Sequence, residues 1–96
     1  MITEIISGLK QGYDALQNED FSKATQIFEG VLKKDKKNAN AYVGKLLAEY
    51  RLKEVSDLEE VNEPFNQSEN FKNAIIYGGK DIISALEHCV SAANKR

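Results

Sequence analysis

"EDFSKATQIFEGVLKKDKKNANAY", residues 19–42, decides the fold, because it reads as a helix, a break and the opening of another helix. Phe21, Ala24, Ile27, Phe28, Val31 and Leu32 recur at the steps that gather side chains on one helix face. Asp20 stands just ahead of that stripe, where a carboxylate accepts hydrogen bonds from the free amides of a helix start. The stripe closes on Lys33, Lys34, Lys36 and Lys37, cations suited to the negative end of the helix dipole. Asn38 then caps a further helix, whose stripe is Ala39, Tyr42, Val43, Leu46, Leu47 and Tyr50.

On the N-terminal side, Ile2, Ile5, Ile6, Leu9, Tyr13 and Leu16 form an earlier helical stripe, with Thr3 as its expected N-cap. On the C-terminal side, Ser56 and Glu59 are spaced as a capping box for a short helix, "SDLEEV". Pro64 stops it, and "NEPFNQSEN" reads as a loop. "FKNAIIYGG" predicts a short helix with Phe71, Ala74 and Ile75 inward, ended by left-handed backbone at Gly78-Gly79. A last helix carries Ile82, Ile83, Leu86, Val90 and Ala93. No stretch alternates as a strand does, so the expectation is five helices plus one short helical turn.

Ninety-six residues, 42% hydrophobic and 29% charged, suit one soluble domain able to bury its own core. The single cysteine, Cys89, has no internal disulfide partner, and no apolar run is long enough for a signal or membrane segment. A cytoplasmic protein is expected. Charge is unevenly spread: residues 45–70 hold three basic against seven acidic side chains, which disfavours a phosphate-binding surface there.

The first three helices resemble the tetratricopeptide repeat, a 34-residue helix pair that stacks into a superhelix. Ala24 and Phe28 fall where that family has its small residue and its aromatic, Phe21 opens the second helix, and Val31-Leu32 fill the next apolar positions. Gly12 matches the small residue of the first helix, Tyr42 a large aromatic, and Lys36 stands in place of the family's proline. Sliding the chain by 34 pairs Ile5 with Ala39, Leu9 with Val43, Gly12 with Leu46, Tyr13 with Leu47 and Leu16 with Tyr50. The second repeat then fails, since Asn62 falls opposite Phe28 and Pro64 cuts the helix, so the resemblance covers residues 2–55. "ANAYVGKLLAEYRLKEVSDLEE" with "NEPFNQSENFKNAIIY" is also similar to segments of uncharacterised bacterial multidomain proteins, which implies a helical unit without assigned chemistry.

Residue types that carry chemistry are sparse. His88 and Cys89 are adjacent, hence about 100° apart on a helix, and no second His or Cys completes a metal set or a nucleophile–base pair. Glu54, Asp57, Glu59, Glu60 and Glu63 lack the spacing of a calcium loop and read as solvated or capping groups. The lysine run lacks interleaved aromatics, and Gly78-Gly79-Lys80 lacks the spacing of a phosphate loop. No metal, cofactor, nucleic acid, membrane or enzymatic activity is therefore expected.

The tetratricopeptide resemblance implies a concave groove lined by the first helix of each pair. Leu9, Tyr13, Leu16, Val43, Leu47 and Tyr50 would make that groove apolar. The charged clamp by which some family members hold a partner's terminal carboxylate is missing, because Leu9 and Tyr13 occupy its positions. An apolar face on a small soluble protein is covered, here by residues 71–93 or by another protein. The expected architecture is all-α, one domain over residues 1–96. Tetratricopeptide-like helices fill 2–55, a short helix and loop 56–67, and a C-terminal helical hairpin over 68–94 caps or closes the array. The expected function is non-catalytic protein–protein interaction, as an adaptor or scaffold for a protein or peptide partner. A self-associating structural bundle, a homo-oligomer, is the alternative.

Overall fold

The computed structural model describes residues 2–94, which fold as five α-helices and two 3-10 helices. They are α1 (Ile2–Gln17), α2 (Phe21–Lys34), α3 (Ala39–Glu49), a 3-10 helix (Val55–Glu60), a 3-10 turn (Phe65–Gln67), α4 (Glu69–Tyr77) and α5 (Lys80–Asn94). Successive helices pack antiparallel: α1 on α2, α2 on α3, α3 on α4. The long helix α5 lies mainly against the 3-10 helix Val55–Glu60 and only lightly against α4. The resulting slab measures 41 × 27 × 18 Å, its thin dimension matching two helix layers about 10 Å apart.

The two caps nearest the deciding stretch form as expected. Lys23 N donates to Asp20 Oδ1 at 3.3 Å, and Ala41 N donates to Asn38 Oδ1 at 3.0 Å. Asn38 is itself held by Asp35, whose Oδ2 accepts from Nδ2 at 3.2 Å. Three other expectations are corrected. Thr3 lies inside α1, which already begins at Ile2. The cap near residue 56 belongs to Asp57, whose carboxylate accepts from the backbone N–H groups of Glu54 (3.1 Å) and Lys53 (3.3 Å), while Ser56 faces solvent. Gly78 has a φ of −77°, so no left-handed glycine ends α4. Its glycine is required by space instead, since a Cβ would run into the carbonyl oxygen of Ala74.

The left-handed positions are Glu19 (φ 61°) and Arg51 (φ 58°). Each ends a helix in a Schellman turn, whose carbonyls would otherwise lack donors. Glu19 N donates to Leu16 O and Asp20 N to Ala15 O; Arg51 N donates to Ala48 O and Leu52 N to Leu47 O. The two turns lie side by side, with Gln17 Nε2 donating to the Lys53 carbonyl at 3.0 Å. Glu19 and Arg51 are 32 residues apart (51 − 19), as are Gly12 and Gly44 (44 − 12), both of which face Phe28. The internal correspondence of α1 and α3 therefore runs at 32, not at the 34 of the slid sequence. At 32, buried Gly12, Ala15 and Leu16 match buried Gly44, Leu47 and Ala48.

Phe28 is fully buried, its ring tip between α1 and α3. Around it Leu16, Ala24, Leu46 and Leu47 join a core that Leu58, Phe65, Ala74 and Leu86 extend through the C-terminal half. No polar or charged side chain is buried among the described residues, so apolar burial carries the fold. Antiparallel α3 and α4 are clasped at both ends. Ser68 Oγ donates to Glu49 Oε1 at 2.6 Å and Asn70 Nδ2 to the same oxygen at 3.2 Å, while Tyr42 stacks on Tyr77 at 5.9 Å.

Candidate docking groove

Of the six residues expected to line an apolar groove, Leu16, Val43 and Leu47 are buried in the core. Leu9, Tyr13 and Tyr50 are half-buried against it. Tyr13 meets Phe28 edge-on at 5.0 Å, and its hydroxyl donates to the Asn40 carbonyl at 2.7 Å. Burial pushes its phenol up to about 12, because the anion would lose its water. Tyr50 meets Phe65 edge-on at 6.4 Å, and Phe65 meets Phe71 at 5.9 Å. Its phenol is raised by burial first and then by the negative charges of Glu49 and Glu63. The six do not frame one open surface. The cover over Tyr50 comes from the residue 65–71 region, while the principal neighbours of α1 are α2 and α3.

An apolar surface opens elsewhere, on the outer side of α4 and α5. A depression of about 470 Å³ is lined by Phe71, Ile75, Glu87 and Val90 with Asn66, Ser91 and Asn94. A second of about 370 Å³ shares Asn66, Phe71 and Ile75 with it and runs out to Lys72 and Ile76. Together they make one shallow, mostly apolar groove. Ile76 at its edge is 67% exposed, the most exposed large apolar side chain among the described residues, and Tyr77 beside it is also exposed. The sequence held a signal for this face. Ala74, Ile75, Ile76 and Tyr77 are consecutive, and successive helical residues turn by about 100°. Ala74 takes the core, Ile75 packs half-buried at its edge and Tyr77 stacks on Tyr42, which leaves Ile76 uncovered.

The remaining chemistry-bearing residues are dispersed. Cys89 is buried, with its thiol 3.5 Å from the Val55 carbonyl, and burial followed by the nearby Glu59 charge raises its pKa. His88 lies 3.8 Å from Glu59 on the surface. Lys34 pairs with Glu4 across α1 and α2 at 3.0 Å. No group of three or more His, Cys, Asp or Glu side chains converges as a metal site among the described residues. No helix among the described residues is long and apolar enough to cross a membrane.

No family model matches the chain, and neither a curated protein nor a solved structure matches it.

Proposed function

We propose that this chain is a non-catalytic protein-interaction module, a tetratricopeptide-like helix array that docks its partner in the groove between α4 and α5. The observation that carries this reading is the groove itself, where half-buried Ile75 and Val90 and exposed Ile76 form an apolar surface over buried Phe71. Such surfaces are where soluble proteins meet other proteins. The sequential antiparallel packing of α1, α2 and α3 around Phe28 supports the tetratricopeptide-like part of the reading. The proposed site thus moves from the α1 and α3 faces to the C-terminal hairpin. The test places a photo-crosslinking amino acid at Ile76 and, separately, at exposed Gln11, in the full chain inside cells. A discrete protein adduct from position 76 and not from position 11 supports the module. Equal or absent crosslinking at the two positions removes it.

A further inference from the structure

We infer that the occupant of this groove is a second copy of the chain, docked about a two-fold axis. The inference rests on the interaction-module reading and names its partner. The groove is bordered by opposite charges on its two helices. Lys72 stands one helical turn before Ile75 and Ile76 on α4, and Glu87 stands one turn before Val90 and Ser91 on α5. Both charged residues are exposed, and among the described residues neither makes an ion pair within the chain. A surface that is apolar along its middle, cationic on one side and anionic on the other is complementary to itself under two-fold rotation. The rotation crosses the helices, bringing each Lys72 to the opposite Glu87 and laying Ile75 and Ile76 of α4 against Val90 and Ser91 on α5 of the other copy. Every rim contact then occurs twice, so changing one residue removes two contacts.

The groove is shallow, so the dimer is a weak, concentration-dependent one. Its rim charges make association weaken as salt rises. Analytical ultracentrifugation of the purified full chain, from about 1 μM to about 1 mM, tests this, with circular dichroism verifying that each variant folds. The wild type should pass from monomer to dimer and stop there. Ile76→Asp should abolish the dimer without loss of helix, because Ile76 is 67% exposed. Lys72→Glu and Glu87→Lys should each weaken association at least about tenfold. The double variant carrying both reversals should recover it, since the swapped charges again meet their opposites. A monomer throughout the range overturns the second copy as occupant and leaves the crosslinking test of the module standing. Open-ended oligomers overturn the two-fold arrangement. A dimer indifferent to all three changes, or one that the double charge reversal fails to restore, overturns its assignment to this groove.

Discussion

Gly44 lies directly against Phe28: a Cβ at Gly44 would stand 2.6 Å from Phe28 Cε1 and collide with the ring tip. Gly12 on α1 meets the same ring, with a Cβ there 2.5 Å from Cε1. The aromatic of α2 is thus accommodated by two glycines on the helices that flank it. Both glycines cost helix propensity, which the close approach around the ring offsets. Gly30, also in α2, has nothing within 4 Å of its hypothetical Cβ. The same substitution should therefore change sign between the sites. Gly44→Ala should destabilise by about 1–3 kcal/mol through overpacking. Gly30→Ala should stabilise by about 0.5–1 kcal/mol. Thermal melts followed by far-ultraviolet circular dichroism compare them directly, and Gly44→Ala melting at or above the wild type would contradict the packing around Phe28.

The left-handed residues that end α1 and α3 predict a gain. A non-glycine side chain in that conformation costs about 1–2 kcal/mol, and glycine removes most of the cost. Arg51 is exposed, so Arg51→Gly should raise stability by about 1 kcal/mol. Glu19→Gly should gain less, because Glu19 faces Lys53 at 3.9 Å, a solvent-exposed pair worth at most about 1 kcal/mol. Chemical denaturation of the two variants orders them; a loss at Arg51→Gly would mean that its conformation is not the strained one described.

These positions mark where sequence reading stops. The stripes of the first three helices and the caps at Asp20 and Asn38 are legible because each depends on residues within a turn or two. Gly44 is not, since the ring that requires a glycine there reaches it from another helix. The register of 34 fails for a related reason: α1 and α3 end at left-handed Glu and Arg residues, which carry no mark of a helix end in sequence. Stripe membership says that Leu16, Val43 and Leu47 are apolar but not which element covers them. Conversely, the run from Ala74 to Tyr77 cannot all face one core, and that geometric excess was present in the sequence.

Tyr13 gives the fold an alkaline limit. Its phenol is raised from 10.0 to about 12 in the folded chain by burial. The folded state therefore holds the proton more tightly than the unfolded state does. The stabilisation linked to Tyr13 is fully present below pH 10 and is lost as pH rises through about 12. Tyr13→Phe should remove this part of the pH dependence while also losing the hydrogen bond to the Asn40 carbonyl, about 0.5–1.5 kcal/mol at neutral pH. Stability measured between pH 8 and pH 12 on both proteins checks it. The two curves should converge at the alkaline end; parallel curves would mean that Tyr13 titrates as an exposed tyrosine.

Phe65 should be the residue on which the C-terminal half depends. It follows the only proline, in a stretch that reads as loop, yet it is 2% exposed in a 3-10 turn. Its ring meets Tyr50 beyond the end of α3 and Phe71 on α4, both edge-on, so it joins two helices that the chain connects only through a long excursion. Removing it leaves a cavity among large neighbours that cannot collapse without shifting α4. Phe65→Ala should therefore cost about 3–5 kcal/mol. Asn66→Ala, at the exposed next position, should stay within about 0.5 kcal/mol of the wild type. Near-ultraviolet circular dichroism adds a readout of packing, because the chain has no tryptophan and Tyr50 is among only four tyrosines. Phe65→Ala should lose part of that signal at temperatures where far-ultraviolet helix is still present, as α4 loosens from α3 ahead of the first hairpin. If Phe65→Ala instead melts with Asn66→Ala, the segment after Pro64 is a surface loop after all. The aromatic chain from Tyr50 to Phe71 then contributes nothing to holding α4 in place.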